Sequence, residues 1–353
     1  MKRRTTRRAS AGLTALAALS LLAGCAIPVP SPEAQPEAPE SMPVLDEPRI
    51  ERILTDLDEV ITAADEEQDA DLLEDRVTNP ALRIRAAEYQ LAQATADDDD
   101  AYSPRTLITS PQAEVVSVSQ DWPRTMLVVT EIADGANVPL LLTLEQEDPR
   151  SPYQLHHWVR LLPGTEMPPT AVPATGSEQV AADASGFLVS PEEAISEYAD
   201  ILTYGEDSDF ADSFALGDDE FYSLVRDEAD NLDVVDEAGT FAQRTHPTDE
   251  PVIALATEDG GYVVLGEMRT RQKFTKTISG SEITVPSPHI EALDAEDGSL
   301  EYLDDSLIAS FRTMVAMYVP GEDAEDGQVT VLGAERVLTG VSRECPRDES
   351  RCS

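Results

Sequence analysis

The chain has 353 residues, with 25 Lys and Arg against 69 Asp and Glu, a formal net charge of −44 and 41% hydrophobic residues. That excess of acid argues against electrostatic binding to nucleic acid or to an anionic lipid surface, because both need a cationic face. The apolar content is enough to build real cores, and the length predicts about two domains of roughly 100–200 residues each.

The chain opens with Lys2, Arg3, Arg4, Arg7 and Arg8, followed by an uncharged Ala/Leu-rich run over residues 9–24. A charged n-region before an apolar h-region is the layout of a secretory signal, and the run is shorter than the ~20 residues that span a bilayer. Leu22, Ala23, Gly24 and Cys25 resemble the lipobox of bacterial lipoproteins. The resemblance implies that the Cys25 thiol takes a diacylglyceryl group and becomes the first residue after cleavage. Two acyl chains supply the two hydrophobic signals that stable anchoring needs. The doublets Arg3-Arg4 and Arg7-Arg8 also suit twin-arginine export, but Thr, Ala and Ser follow them, which favours the general secretory route. Loss of residues 1–24 leaves 20 basic against 69 acidic side chains, a net charge of −49. Residues 25–48 then hold seven prolines among Ala, Glu and Ser, which predicts an extended tether.

A helix is predicted next, because Ile50, Ile53, Leu54, Leu57, Val60, Ile61 and Ala64 recur at helical spacing. Asn79-Pro80 reads as an N-cap and N1 proline opening a second helix, with Ile84, Ala87, Leu91 and Ala94 as its stripe. The period then changes to two, and strands are expected near 105–109, 112–119, 125–132, 138–145 and 153–162, with Asp134-Gly135 as a hairpin turn. Prolines and glycines over 164–187 predict a linker. The pattern restarts at Ser190-Pro191-Glu192-Glu193, a capping-box signature, with a helix to about Leu202 and shorter helical pieces to about 230. Strands follow near 239–245, 251–257, 262–275, 280–286, 305–319 and 328–342. The expected class is α+β, as two tandem modules over 49–163 and 188–343, each with N-terminal helices packed on a curved antiparallel sheet. A tail over 344–353 carries Cys345 and Cys352, which a disulfide can join outside the cytoplasm; free or intermolecular thiols are the alternative.

A helix on a strongly curved sheet is similar to the cystatin-like roll of nuclear-transport-factor-like domains. The whole arrangement resembles secreted actinobacterial lipoproteins that carry a domain of unknown function. The likeness rests on the lipobox, the tether, Asp121-Trp122-Pro123-Arg124, Ser151-Pro152-Tyr153-Gln154-Leu155, and Ser190-Pro191 before Tyr198-Ala199. It implies an anchor and a location, and no activity.

Chemistry-bearing motifs are sparse. There is no Gly-x-Ser-x-Gly elbow, and Lys273 and Lys276 sit in no Ser-x-x-Lys. The neighbours His156 and His157 should face opposite sides of a strand and so share no metal ion, with His157 turned inward. The acidic turns 294–298 and 323–327 miss the EF-hand register, so no metal and no cofactor are expected. Asp207-Ser208-Asp209 matches an Asp-x-Asp triplet, which arises freely in so acidic a chain. Trp122 and Trp158 are candidates for lining a pocket, with ordinary packing as the alternative.

One feature runs against the background: Arg269, Arg271 and Lys273 alternate along one predicted strand, with Lys276 just beyond. The functional reading is contact with a small anion or an acidic wall polymer; the alternative is neutralisation of neighbouring acids. The leading expectation is a non-catalytic binding or scaffolding lipoprotein on the outer face of the cytoplasmic membrane. Its partners would be the bilayer through Cys25 and an envelope protein or cell-wall polymer, with no nucleic acid. The alternatives are a glycan-active enzyme using paired carboxylates, which calls for two in one cavity, and a solute- or peptide-binding pocket protein.

Overall fold

The computed structural model describes residues 45–98, 101–119, 121–232, 238–285, 287–294, 299–300, 303–324 and 327–344. The leader, the lipobox Leu22-Ala23-Gly24 with Cys25, most of the tether, and Cys345 and Cys352 lie outside the described residues.

Helix α1 (Glu47–Glu67) starts inside the expected tether, with Pro48 in its first turn and Asp46 as N-cap accepting from the Arg49 N–H at 3.2 Å. Gln68 ends it in the left-handed region at φ 50°. Its buried face is Ile50, Leu54, Leu57, Ile61 and Ala64. Helix α2 (Ala81–Ala94) begins later than the Asn79 cap predicts: Pro80 is its N-cap, without a side-chain cap bond. The reason lies upstream, where Arg76 and Thr78 exchange backbone hydrogen bonds with Leu155 and hold the chain extended. Ile84, Ala87 and Leu91 are buried as expected, whereas Ala94 is exposed.

Four strands follow: β1 (Pro111–Val116), β2 (Arg124–Thr130), β3 (Leu140–Gln146) and β4 (Gln154–Leu161). The stretch near 105–109 runs without strand pairing. Helix α3 (Pro191–Tyr204) carries the capping box, the Glu193 carboxylate accepting from the Ser190 N–H at 3.1 Å and from its hydroxyl at 2.7 Å. Helix α4 (Glu220–Leu232) comes after three short 3-10 turns. Next are β5 (Gly239–Pro247), β6 (Ile253–Ala256), β7 (Tyr262–Lys276), the two-residue β8 (Ile283–Thr284), α5 (Pro288–Leu293), the two-residue β9 (Ser299–Leu300), β10 (Ser306–Val319) and β11 (Thr330–Glu344).

The protein is α+β, and nine of its eleven strands join one antiparallel sheet ordered β1-β2-β3-β4-β11-β10-β7-β5, with β6 beside β7, while β8 and β9 pair separately. Two modules with separate sheets would leave β4 and β11 as bare edges; instead they pair, Leu161 with Gly333 and Arg160 with Ala334. Residues 164–187 form no helix or strand, but Ser177, Gln179 and Phe187 bridge to Ser117, Leu255 and Gly321. At the far edge α3 blocks β5: the Thr203 hydroxyl accepts from the Thr245 N–H at 2.8 Å.

Sheet alternation sends neighbouring residues to different cores. Val263, Leu265, Met314 and Ala316 pack with α1, α2 and the first four strands, whereas Tyr262, Val264, Val315 and Met317 pack with α3 and α4 on the opposite face. Strands covered on both faces read as continuous apolar runs, which is why 262–265 and 314–319 show no alternation. Beyond this doubly covered half, Phe274, Leu307, Ala309 and Leu338 form a third core with Ile283, Val285 and Ile290. Their opposite face there is where the site lies.

Candidate functional site

Strand β7 changes character midway. After Leu265, residues on the α1/α2 side are Glu267, Arg269, Arg271 and Lys273, of which Glu267 is buried and Arg269 and Arg271 are exposed. Antiparallel register sets further cations beside them. Arg312 of β10 and His246 of β5 flank Arg269, and Arg244 of β5 stands opposite Arg271. Alternation in one strand signals only three of these cations; Arg244 and Arg312 are separated from them by dozens of residues. Lys276 does not join: it lies at the opposite parity and is 2% exposed.

Glu267 organises the group from below. Its side chain is fully buried and accepts from Arg312 Nη1 at 2.8 Å and Arg83 Nη1 at 3.1 Å. Arg83 also donates to Glu250 at 2.7 Å. Burial opposes the charge on Arg83, but the bond to Glu250 and the fields of Glu267 and Glu250 overcome it and raise its pKa. Above this carboxylate is a recess of about 450 Å³, lined by Arg83, Arg269, Arg312 and the 247–250 turn.

The remaining charges are unevenly satisfied. Lys273 Nζ meets Glu344 at 2.6 Å, and Arg271 lies 3.9 Å from the same carboxylate. The hydrogen bond from Lys273 holds the Glu344 carboxyl below its usual range. Arg244 rests over the Tyr204 ring at 5.4 Å. Among the described residues, Arg269 has no ion pair. Side chains two apart on a strand recur at roughly 7 Å, so the face presents a row of cations at that interval. Distant acids of the chain are screened beyond the ~8 Å Debye length of physiological salt, so a bound anion senses mainly this local row.

Residues 41–343 match the family described as a domain of unknown function, DUF8094. The chain belongs to that family. No curated protein and no solved structure matches it. Both sides of the sheet junction and the whole cationic face fall within the DUF8094 domain.

Other sequence-level candidates in the DUF8094 domain resolve as follows. His156 and His157 do not face opposite sides. Thr143 pairs with His157 and Leu144 with Leu155, so His156 is the extra residue of a bulge and its Nδ1 lies 3.0 Å from that of His157. Burial drives the pKa of His156 down to about 4 and that of His157 well below its usual value. No group of three or more metal-ligating side chains occurs among the described residues. Trp158 is core, while Trp122 stacks under Arg124 at 4.1 Å. Two carboxyls, Glu145 and Glu335, are pushed up to about 7, chiefly by burial. Neither lines the cationic recess. Among the described residues no helix is long and apolar enough to cross a membrane.

Proposed function

We propose that this chain is a lipid-anchored, extracytoplasmic binding protein of the cell envelope whose contact surface is the cationic face of β5, β7 and β10. The anchor part of the reading rests on Leu22-Ala23-Gly24-Cys25 and the tether that follows; the partner part rests on the face itself. The carrying observation is that Arg244, Arg269, Arg271, Lys273 and Arg312 gather on one sheet face of a chain with a net charge of −44, with Arg269 unspent. The ligand class that fits is a linear polyanion of the wall, carrying phosphate or carboxylate groups. Among the described residues one acid, Glu344, neutralises the outer row, and an exposed pair of that kind contributes about 0–1 kcal/mol, so a polyanion can displace it. Tandem cystatin-like modules fused edge to edge belong to the same reading: α1 and α2 serve one half, α3 and α4 the other.

The test is retention of the chain on immobilised anionic wall polymer at rising salt. The Arg269→Glu/Arg271→Glu double variant should elute with the void volume; unchanged retention would remove the face from the proposal. The anchor is tested separately: Cys25→Ala should move the protein from the membrane fraction to the soluble one.

A further inference from the structure

A second cavity lies where the halves of the sheet meet, away from the cationic face. Strands β4 and β11 pair only at Arg160–Leu161 and Gly333–Ala334, and then diverge. The gap, about 590 Å³, lies within the range of small-molecule sites. Its apolar wall is built from both halves, including Leu91, Val138 and Leu161 of the first and Phe221, Leu224 and Phe311 of the second. Three guanidinium groups line the same space, Arg105, Arg160 and Arg336, together with the carboxylates of Glu220 and Glu228.

Arg336 holds donors that nothing in the protein accepts from, and Arg160 is only partly satisfied by an ion pair. Arg160 Nε stands 3.0 Å from Glu335 Oε2 without forming a hydrogen bond, and Glu335 is shared with Arg105 at 3.4 Å. Burial lowers the Arg160 pKa, and the Glu335 charge does not fully restore it. Arg336 gives Nη1 to Glu228 and lies 3.9 Å over the Phe311 ring, while its Nε and Nη2 are buried without partners. Buried donors without acceptors are costly, and a bound anion would supply acceptors. Leu224, an apolar side chain of the rim, is 62% exposed among the described residues.

We propose that this cleft binds a small amphipathic organic anion, its carboxylate or phosphate head on Arg160 and Arg336 and its hydrocarbon body along Leu91, Val138, Phe221 and Leu224. The proposal does not depend on the polymer-binding reading, since it uses none of the same residues.

The experiment is calorimetric titration of the full chain with dodecanoate, dodecyl phosphate and dodecyltrimethylammonium. Either anion should bind at least about tenfold more tightly than the cation, the loss expected when charge-assisted bonds are absent. The stronger of the two anions identifies the head group. Arg336→Gln should weaken anion binding by a similar factor, and Leu224→Asp, at an exposed position, should weaken it with an unchanged melting temperature. Arg269→Glu/Arg271→Glu should leave it unaltered. Equal binding of anions and cation, binding of none, or indifference to both cleft variants would overturn the assignment.

Discussion

Gly333 lies so close to Arg160 that a β-carbon at position 333 would stand 2.4 Å from the Arg160 carbonyl oxygen. This close approach is what lets β4 and β11 pair and makes one sheet of two halves. On the other side of the pairing, the Leu162 N–H donates to the Leu332 carbonyl at 2.8 Å.

Gly333→Val should therefore split the junction. Backbone, not a flexible side chain, occupies the space, so the cost should reach or exceed the ~1–3 kcal/mol usual for overpacking. Urea unfolding should show a lower midpoint; a second transition, as the halves unfold separately, is the accompanying sign.

Glu267 neutralises Arg83 and Arg312 from a fully buried position. Glu267→Gln leaves Arg312 without its carboxylate while Arg83 keeps Glu250. Because both arginines are partly exposed, it should cost more than about 1 kcal/mol but less than the ~3–5 kcal/mol of a fully buried pair broken from one side. Denaturant melts would register it, and a loss under 1 kcal/mol would mean that the two arginines turn to solvent freely.

Glu145 tests the pH dependence. Its folded pKa of about 7 lies above the unfolded value near 4.3, so the folded state holds the proton more tightly. Stability from this group is complete below about pH 4 and declines as pH rises to about 7. Glu145→Gln keeps the acceptor for the Thr125 hydroxyl, 3.1 Å away, and does not titrate. The variant should match the parent near pH 4 and exceed it at pH 8 by on the order of 1–3 kcal/mol, measured as a difference in melting curves.

Glu344 should act as a competitor on the cationic face, since it occupies Lys273 and Arg271. Glu344→Gln should strengthen retention on anionic polymer, whereas Lys273→Gln should weaken it less than Arg269→Gln does. Salt-elution midpoints would order the three variants, and the reverse order would place the contact elsewhere.

The helices were legible because their signals are local. The apolar stripe of α1 and the Ser190–Glu193 capping box depend on residues a turn or two apart, and both lie where the sequence places them. Most strands were legible for the same reason. The His156–His157 contact was not, because a bulge is a mismatch between two strands and leaves no trace in either one alone. The linker reading of 164–187 captured its lack of helix and strand, but not its bridges to both halves.

By itself the sequence determined an acidic α+β chain, the order of its longer helices and strands but not α5 or β9, and three cations sharing a strand face, since each follows from composition or from a period of two to four residues. Only the tertiary structure decided that the long strands of both halves form one sheet, that Arg244 and Arg312 complete the cationic face while Lys276 is turned away, and that a cleft opens where β4 and β11 part. These are outcomes of register and close approach between segments far apart in the chain. Gly333 shows the limit plainly: in sequence it is one small residue within a strand, and its importance comes from the backbone of Arg160, more than 170 positions earlier.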